Sequence, residues 1–238
     1  MSNNINKENV WVFIMAGQSN MAGRGIVEPE DTVSDKRIFS INKDGQIILA
    51  KEPLHFYEPE RTGLDCGFSF AKTLIKKIPD SVSILIIPTA VGGSSIKQWL
   101  GDSIYRDVKL FSNFLAKVQI AKQNGIIKGI LWHQGESDAN EKEIPLYKQR
   151  LHLLFSKFRS AIGNHELPVL LGELGSFSEN PVNFNLINKA IHDYAAEDKN
   201  STVISTKDLK DKGDNLHFNS TGQRMMGKRF AKAYLNMF

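Results

Sequence analysis

A single cysteine, Cys66, is all the thiol chemistry that the 238-residue chain carries, so no internal disulfide can staple it. That fits a reducing compartment without requiring one. Asp65 beside it opposes a thiolate, which makes Cys66 a poor nucleophile. Long apolar runs are missing too: none approaches the ~18 residues that a membrane span needs, so no membrane association is expected. Met1–Glu8 is polar with one lysine, and the apolar run after it is short, which is not the pattern of a secretory leader. As written, the chain is expected in the cytoplasm; a secreted or periplasmic location would need a leader that this sequence does not carry. Charge of one sign is not concentrated anywhere. The 30 basic and 26 acidic residues leave a formal +4, with lysines scattered and densest at Lys76-Lys77 and across Lys207–Lys212. No basic block is interleaved with aromatics, so nucleic acid is not an expected partner. His55, His152, His165 and His192 show neither helical His-pair nor Cys-His spacing, so neither a zinc site nor any other cofactor is expected.

What is present is ordinary globular material, 41% hydrophobic and 24% charged, at a length that suits one core. One domain is expected over residues 1–238, with 1–8 as a flexible extension. Five continuously apolar runs read as strands covered on both faces: Val10–Met15, Val82–Ile87, Lys128–Trp132, Pro168–Leu171 and Thr202–Ser205. Between and after them, apolar residues at helical spacing predict helices over Phe68–Ile78, Tyr105–Asn124, Pro145–Ile162, Asn183–Ala196 and Ser220–Tyr234. This alternation argues for a parallel sheet with helices on both sides. Gly23–Gly67 fits least well. It holds a small hairpin, Ile38–Ile41 and Ile47–Leu49 around Asn42-Lys43-Asp44-Gly45, inside an excursion long enough to be functional. It is expected to wall one side of a cleft.

In open parallel sheets, ligands bind beyond the carboxyl ends of the strands. There the chain places Gly17-Gln18-Ser19-Asn20, then Gly92-Gly93-Ser94-Ser95 with Trp99 close behind. His133-Gln134-Gly135-Glu136, Gly172-Glu173 and Asp214-Asn215-Leu216-His217 follow. Taken singly these are caps and turns. Together they supply what acyl transfer requires: a hydroxyl nucleophile, a histidine base, a carboxylate to orient it, and donors for an oxyanion. Ser19 is the candidate nucleophile, with its own N–H as one donor. His217 is the candidate base and Asp214 its orienter. The Gly92-Gly93 turn can add a backbone N–H, and Gln134 a side-chain amide. Glu136 can orient His217 in place of Asp214, hold Gln134 or bond a sugar, with Asp214 favoured as the acid. Gln18 and Asn20 are candidate support or substrate-binding residues. Trp99, Tyr57 and Phe56 can stack on a sugar ring. No Gly-x-Ser-x-Gly elbow surrounds a plausible nucleophile.

Gly-Gln-Ser-Asn-Met-Ala-Gly, the Gly-Gly-Ser before Trp99, Trp-His-Gln-Gly-Glu-Ser-Asp and Asp-x-x-His, in this order from residue 17 to 217, resemble the SGNH/GDSL hydrolases. They are most similar to the carbohydrate acetylesterase branch, sialate O-acetylesterase-like proteins and family 6 acetylxylan esterases. The resemblance implies a flavodoxin-like three-layer α/β/α sandwich with a five-stranded parallel sheet. It also implies metal-independent removal of O-acetyl groups from a small sugar or a polysaccharide. On matching positions Ser19, Asp214 and His217 form the triad, with Gly92 the favoured glycine and Gln134 the third oxyanion donor. Two other readings remain: a lipase or thioesterase of the same fold acting on longer acyl chains, and a carbohydrate-binding protein without turnover.

Overall fold

Strand β1 (Val10–Gly17) runs through the middle of the molecule and is buried along nearly its whole length. Its side chains alternate between two covered faces, Val12, Ile14 and Ala16 on one and Phe13 and Met15 on the other. The structure, a computed structural model, describes residues 6–237; residues 1–5 of the expected N-terminal extension lie outside these. Lys7–Asn9 form a short 3-10 turn leading into β1, with the Asn6 side chain accepting from the Glu8 N–H at 3.2 Å.

In chain order, β1 leads into α1 (Ser19–Ala22), the hairpin β2 (Ile38–Ile41) and β3 (Ile47–Leu49), α2 (Gly67–Leu74) and β4 (Ser83–Pro88). Then come α3 (Ile96–Leu100), a two-stranded ribbon β5 (Ile104–Tyr105) and β6 (Val108–Lys109), and α4 (Leu110–Asn124). The chain closes with β7 (Ile126–His133), α5 (Ile144–Ile162), β8 (Val169–Gly172), α6 (Pro181–Glu197), β9 (Ser201–Ile204) and α7 (Ser220–Leu235). The sheet order is β3-β2-β4-β1-β7-β8-β9, parallel throughout except for the antiparallel β2–β3 pair. Helices α3 to α6 cover one face through Trp99, Phe114, Phe155, Phe158 and Ile187. Helices α2 and α7 cover the other through Phe70, Leu74, Met226 and Phe230. This is the three-layer α/β/α sandwich.

The sheet has seven strands, not five. Ile38 and Ile41 are 0% and 1% exposed, so β2 packs into the core while β3 stays exposed at the sheet edge, and β2 extends the parallel ladder of β4, Ile38–Ser40 against Ile84–Ile86. A second difference lies at the start of α4, which begins at Leu110 rather than Tyr105. There the ribbon turns through Arg106 and Asp107, and the Asp102 carboxylate accepts from the Ser112 N–H at 2.7 Å and its hydroxyl at 2.6 Å.

The 23–67 excursion is tied down by a buried polar cluster. His55 Nδ1 meets Asp65 Oδ2 at 2.8 Å, and the Gly67 and Asp65 N–H groups donate to Asp65 Oδ1 at 2.6 Å and Glu52 Oε2 at 3.3 Å. Burial, reinforced by the Asp65 charge, pushes the Glu52 carboxyl well above the usual carboxylate range. Burial likewise raises the Cys66 thiol, which leaves it unreactive.

Helices α2 and α7 cross at Gly227, where a Cβ would stand 2.0 Å from Ser69 Oγ, 2.3 Å from the Cys66 carbonyl oxygen and 2.7 Å from the Phe70 nitrogen. Gly227→Ala gains about 1 kcal/mol of helix propensity but overpacks a contact made of backbone, at about 1–3 kcal/mol or more. The variant is expected to unfold at lower urea concentration than the parent; equal or greater stability would show that the two helices can separate freely.

Candidate active site

After a register shift between Val12 and Phe13, β1 and β7 stay paired to their last residues, Gly17 opposite His133. Gly17 has φ +139°, and a Cβ there would lie 2.1 Å from the His133 carbonyl oxygen, so only glycine lets β1 end against β7. Gln18 then donates its N–H to that carbonyl at 3.0 Å, and Ser19 emerges as the first residue of α1. The Met21 and Ala22 N–H groups close this short helix onto the Gln18 carbonyl at 3.0 and 2.8 Å. The Ser19 N–H has no acceptor among the described residues.

The loop before α7 returns to the same edge. His217 Nε2 lies 3.0 Å from Ser19 Oγ, and its Nδ1 lies 2.7 Å from Asp214 Oδ2. Asp214 Oδ1 accepts from the main-chain N–H groups of His217 and Leu216 at 2.8 and 3.1 Å. Partial burial pushes the Asp214 carboxyl up, but the His217 ring, these two N–H groups and the histidine's charge outweigh it and hold the group at about 2. The lowered Asp214 carboxylate is an ionised acceptor for the proton on His217 Nδ1, which leaves Nε2 to face Ser19. Glu136 does not take this place: its contacts are with Asn20 and His133.

Asn20 clamps the loop to β1. Its Nδ2 donates to Glu136 Oε1 at 2.6 Å and to the Leu216 carbonyl at 3.1 Å, while its Oδ1 accepts from the Phe218 N–H at 3.1 Å. One side chain therefore grips the backbone on both sides of His217. The Gln223 amide caps the Asn20 carbonyl at 2.9 Å. Behind the clamp, His133 Nε2 faces the Glu173 carbonyl at 2.8 Å, so that nitrogen carries the proton, and Nδ1 faces Glu136 Oε1 at 3.6 Å.

Two expected oxyanion donors are engaged elsewhere. The Gly92 N–H donates to Glu58 Oε2 at 2.6 Å. The fully buried Gln134 amide nitrogen is surrounded by Asp138 Oδ2 at 2.6 Å, Gln18 Oε1 at 3.0 Å and the Ser94 carbonyl at 3.2 Å. Two amide protons facing three internal acceptors leave none for a ligand. Gln18 spends its side-chain Oε1 in this hub, which also accepts from the Ser137 N–H at 3.2 Å. The Gly93 N–H has no acceptor among the described residues. Trp99 cannot stack on a sugar: it is 0% exposed, donates to Ser94 Oγ at 2.9 Å and packs edge-on against Trp132 and Phe158. Tyr57 is also turned inward, bonding the Pro88 carbonyl and Asn113 at 3.2 and 3.3 Å.

Over residues 9–236 the chain matches the sequence profile of the family described as carbohydrate esterase, sialic acid-specific acetylesterase. The chain belongs to that carbohydrate esterase family. It is similar to a probable carbohydrate esterase of Arabidopsis thaliana (At4g34215), 28% identical over 247 residues, 95% of this chain and 91% of the plant protein. The crystal structure of that plant protein superimposes with a TM-score of 0.85 at 27% identity, covering 96% of this chain and 98% of the other. The fold is shared with XAC1771, a carbohydrate acetylesterase from Xanthomonas citri (TM-score 0.70, 19% identity, 95% of this chain and 56% of that one). It is shared more distantly with a lipase/acylhydrolase from Enterococcus faecalis (TM-score 0.52, 13% identity, 94% of each chain).

Beside Gly92 the structure brings together charged residues that no motif announced. Arg24 and Glu58, both from the 23–67 excursion, pair at 2.9 Å with side chains only 8% and 4% exposed, and Arg106 of the β5–β6 ribbon reaches Glu58 at 3.1 Å. The only signal for Arg24 and Glu58 was the length of the excursion itself, and Arg106 in the ribbon had none. Among the described residues no group of three or more His, Cys, Asp or Glu side chains is arranged to hold a metal ion.

Asn20→Ala would leave the Glu136 oxygen and the Leu216 and Phe218 backbone groups without their partner. A loss of about 1–3 kcal/mol of stability is expected from the unpaired buried groups, and of roughly 10- to 100-fold in kcat/KM from a displaced His217. Urea unfolding and ester hydrolysis measure the two; a variant with parental kcat/KM would show that the loop holds His217 unaided.

Proposed function

We propose that the protein is a serine esterase that removes O-acetyl groups from a carbohydrate of acetylxylan or sialic acid type, with Ser19, His217 and Asp214 as its triad. The observation that carries this reading is the unbroken relay from Ser19 Oγ through His217, 3.0 Å to Nε2 and 2.7 Å from Nδ1 to Asp214. Ser19 Oγ attacks the acetyl carbonyl as His217 Nε2 takes its proton, and the imidazolium is stabilised by the ionised Asp214. The tetrahedral oxyanion is met by the N–H groups of Ser19 and Gly93, neither of which has an acceptor among the described residues. Collapse expels the sugar oxygen, which takes the proton from His217 and leaves an acetyl-enzyme. A water molecule deprotonated by His217 then releases acetate. Gln134 and Gln18 shape the loop ends from behind, and Asn20 with Glu136 holds the histidine in place.

The acyl group is taken to be acetyl, the group named in the matched family's description. A cavity of about 760 Å³ lies at the opposite end of the sheet, lined by Trp11, Ile126, Pro168 and Ser201 at the strand starts. The length of β1, eight residues at about 3.3 Å each, separates it from Ser19, so it cannot serve as an acyl tunnel.

The test is release of p-nitrophenol from acetyl and octanoyl esters. Acetyl is expected to be preferred, with Ser19→Ala and His217→Ala each lowering kcat by at least about 10³-fold and Asp214→Asn by about 10³–10⁴-fold. Octanoyl preference would move the reading to a lipase or thioesterase. Full activity in Ser19→Ala would remove Ser19 as the nucleophile, and a folded but inactive parent would point to a binding protein.

A further inference from the structure

The turn after β4 has few N–H groups to spare. The Val91 N–H donates to the Gly17 carbonyl at 3.2 Å, the Gly92 N–H to Glu58 Oε2 at 2.6 Å and the Ser94 N–H to the Val91 carbonyl at 3.3 Å. Between them the Gly93 N–H has no acceptor among the described residues, while its carbonyl accepts from Ser137 Oγ at 2.9 Å. Two successive glycines lack the Cβ atoms that would confine their peptides, and Gly93 sits at φ +82°. The orientation that leaves the Gly93 N–H free is therefore set by the bonds around it, and the shortest of these comes from Glu58.

Glu58 is itself firmly held. Its carbonyl accepts from the Arg61 and Thr62 N–H groups at 2.8 and 2.9 Å and from the Thr62 hydroxyl at 2.7 Å. Its carboxylate is buried against Arg24, whose Nη2 donates to Oε2 at 2.9 Å and whose Nη1 donates to the Gly23 carbonyl at 2.7 Å. A Cβ on Gly92 would stand 2.1 Å from Arg24 Nη2 and 2.5 Å from Glu58 Oε2. The ion pair thus occupies the side of Gly92 where a side chain would be. A lone carboxylate so close to the oxyanion site would oppose the charge that builds there, and pairing with Arg24 offsets it. Arg106 adds a second guanidinium at 3.1 Å from Oε1. With Asp107 next to Arg106 in the ribbon turn, two charges of each sign stand together, which makes the cluster a brace and not a binding site for an anion.

We infer that Glu58, braced by Arg24, is a positioning residue for the reaction: by holding the Gly92 N–H it sets the next peptide so that the Gly93 N–H is kept for the oxyanion. The inference rests on the esterase reading above and names the residue that orients its second oxyanion donor. Such a donor is worth most when it is fixed before charge develops, since a peptide that must first turn toward the ligand loses much of the gain. The brace also ties the two donors to each other. Arg24 follows α1, the helix that Ser19 opens, so one buried ion pair joins the nucleophile's turn to the glycine turn.

Two variants test it on p-nitrophenyl acetate, with phenylboronic acid as a mimic of the tetrahedral intermediate. Glu58→Gln keeps an oxygen that can accept from Gly92 but loses the charge. Arg24→Met combined with Glu58→Leu removes the pair together, which spares the fold an unpaired buried charge. Urea unfolding checks that each variant is folded under assay conditions. The expected result is a kcat lower by about 10-fold in Glu58→Gln and by about 100-fold in the double variant, with KM changed by less than about twofold. The inhibition constant of the boronic acid is expected to rise by the factor by which kcat/KM falls, a change that lost stability alone does not produce. A folded variant with parental kcat, a loss confined to KM, or an unchanged boronic acid constant overturns the proposal. The parent separates the two readings. Ser19-dependent hydrolysis that neither variant slows removes the role of Glu58 alone, whereas hydrolysis that survives Ser19→Ala removes the esterase reading and this one with it.

Discussion

The close approach of β1 to β7 at Gly17 and His133 is the contact on which the rest of the site depends. With no side chain at Gly17, the two central strands finish side by side and their next residues share one space. Ser19 leaves one strand, and the Gln134–Asp138 stretch leaves the other. Any β-carbon at residue 17 would push against backbone rather than a yielding side chain, so the strand ends would part. The position of Ser19 is thus set by main-chain packing in the middle of the sheet, not by the loop that brings His217.

Around that point two polar networks divide the labour. Gln134 joins Gln18, Ser94 and Asp138 in a fully buried hub. Burial raises the Asp138 carboxyl, partly offset by its bonds from the Ile96 N–H and the Gln134 amide. Buried polar groups with partners on several elements fix one arrangement of those elements, since every alternative strands a donor or acceptor. The second network, Asn20 with Glu136 and the 216–218 backbone, does the same for the histidine. Ser19 and His217 thus meet at the rim, with the two networks beneath and beside them.

The framework was legible in the sequence because its signals are local. Continuous apolar runs mark strands covered on both faces, and the order of small and polar residues after them placed Ser19, Asp214 and His217 on one edge. The readings that failed depended on orientation, which residue type does not encode. Gly92 and Gln134 are of the right kinds for oxyanion donors, yet Glu58 occupies one and three internal acceptors surround the other. Glu58 comes from 34 residues upstream of Gly92, a pairing that no periodicity announces. Trp99 belongs to the core because α3, too short for a periodic signal, turns it inward. The hairpin 38–49 was visible as a hairpin, but not its parallel pairing with β4, which is a long-range choice made by burial of Ile38 and Ile41.

The His217 loop has a consequence for how the protein fails. Its carboxylate, Asp214, is 36% exposed, Gly213 and Asn215 both take positive φ, and much of its hold on the sheet passes through the Asn20 side chain. Such a segment belongs to the weakly protected end of a fold, where a few residues open and close while the core stays intact. His217 and the sandwich are therefore held by different contacts, so that an opening confined to the 213–217 loop would part His217 from Ser19 without exposing the core.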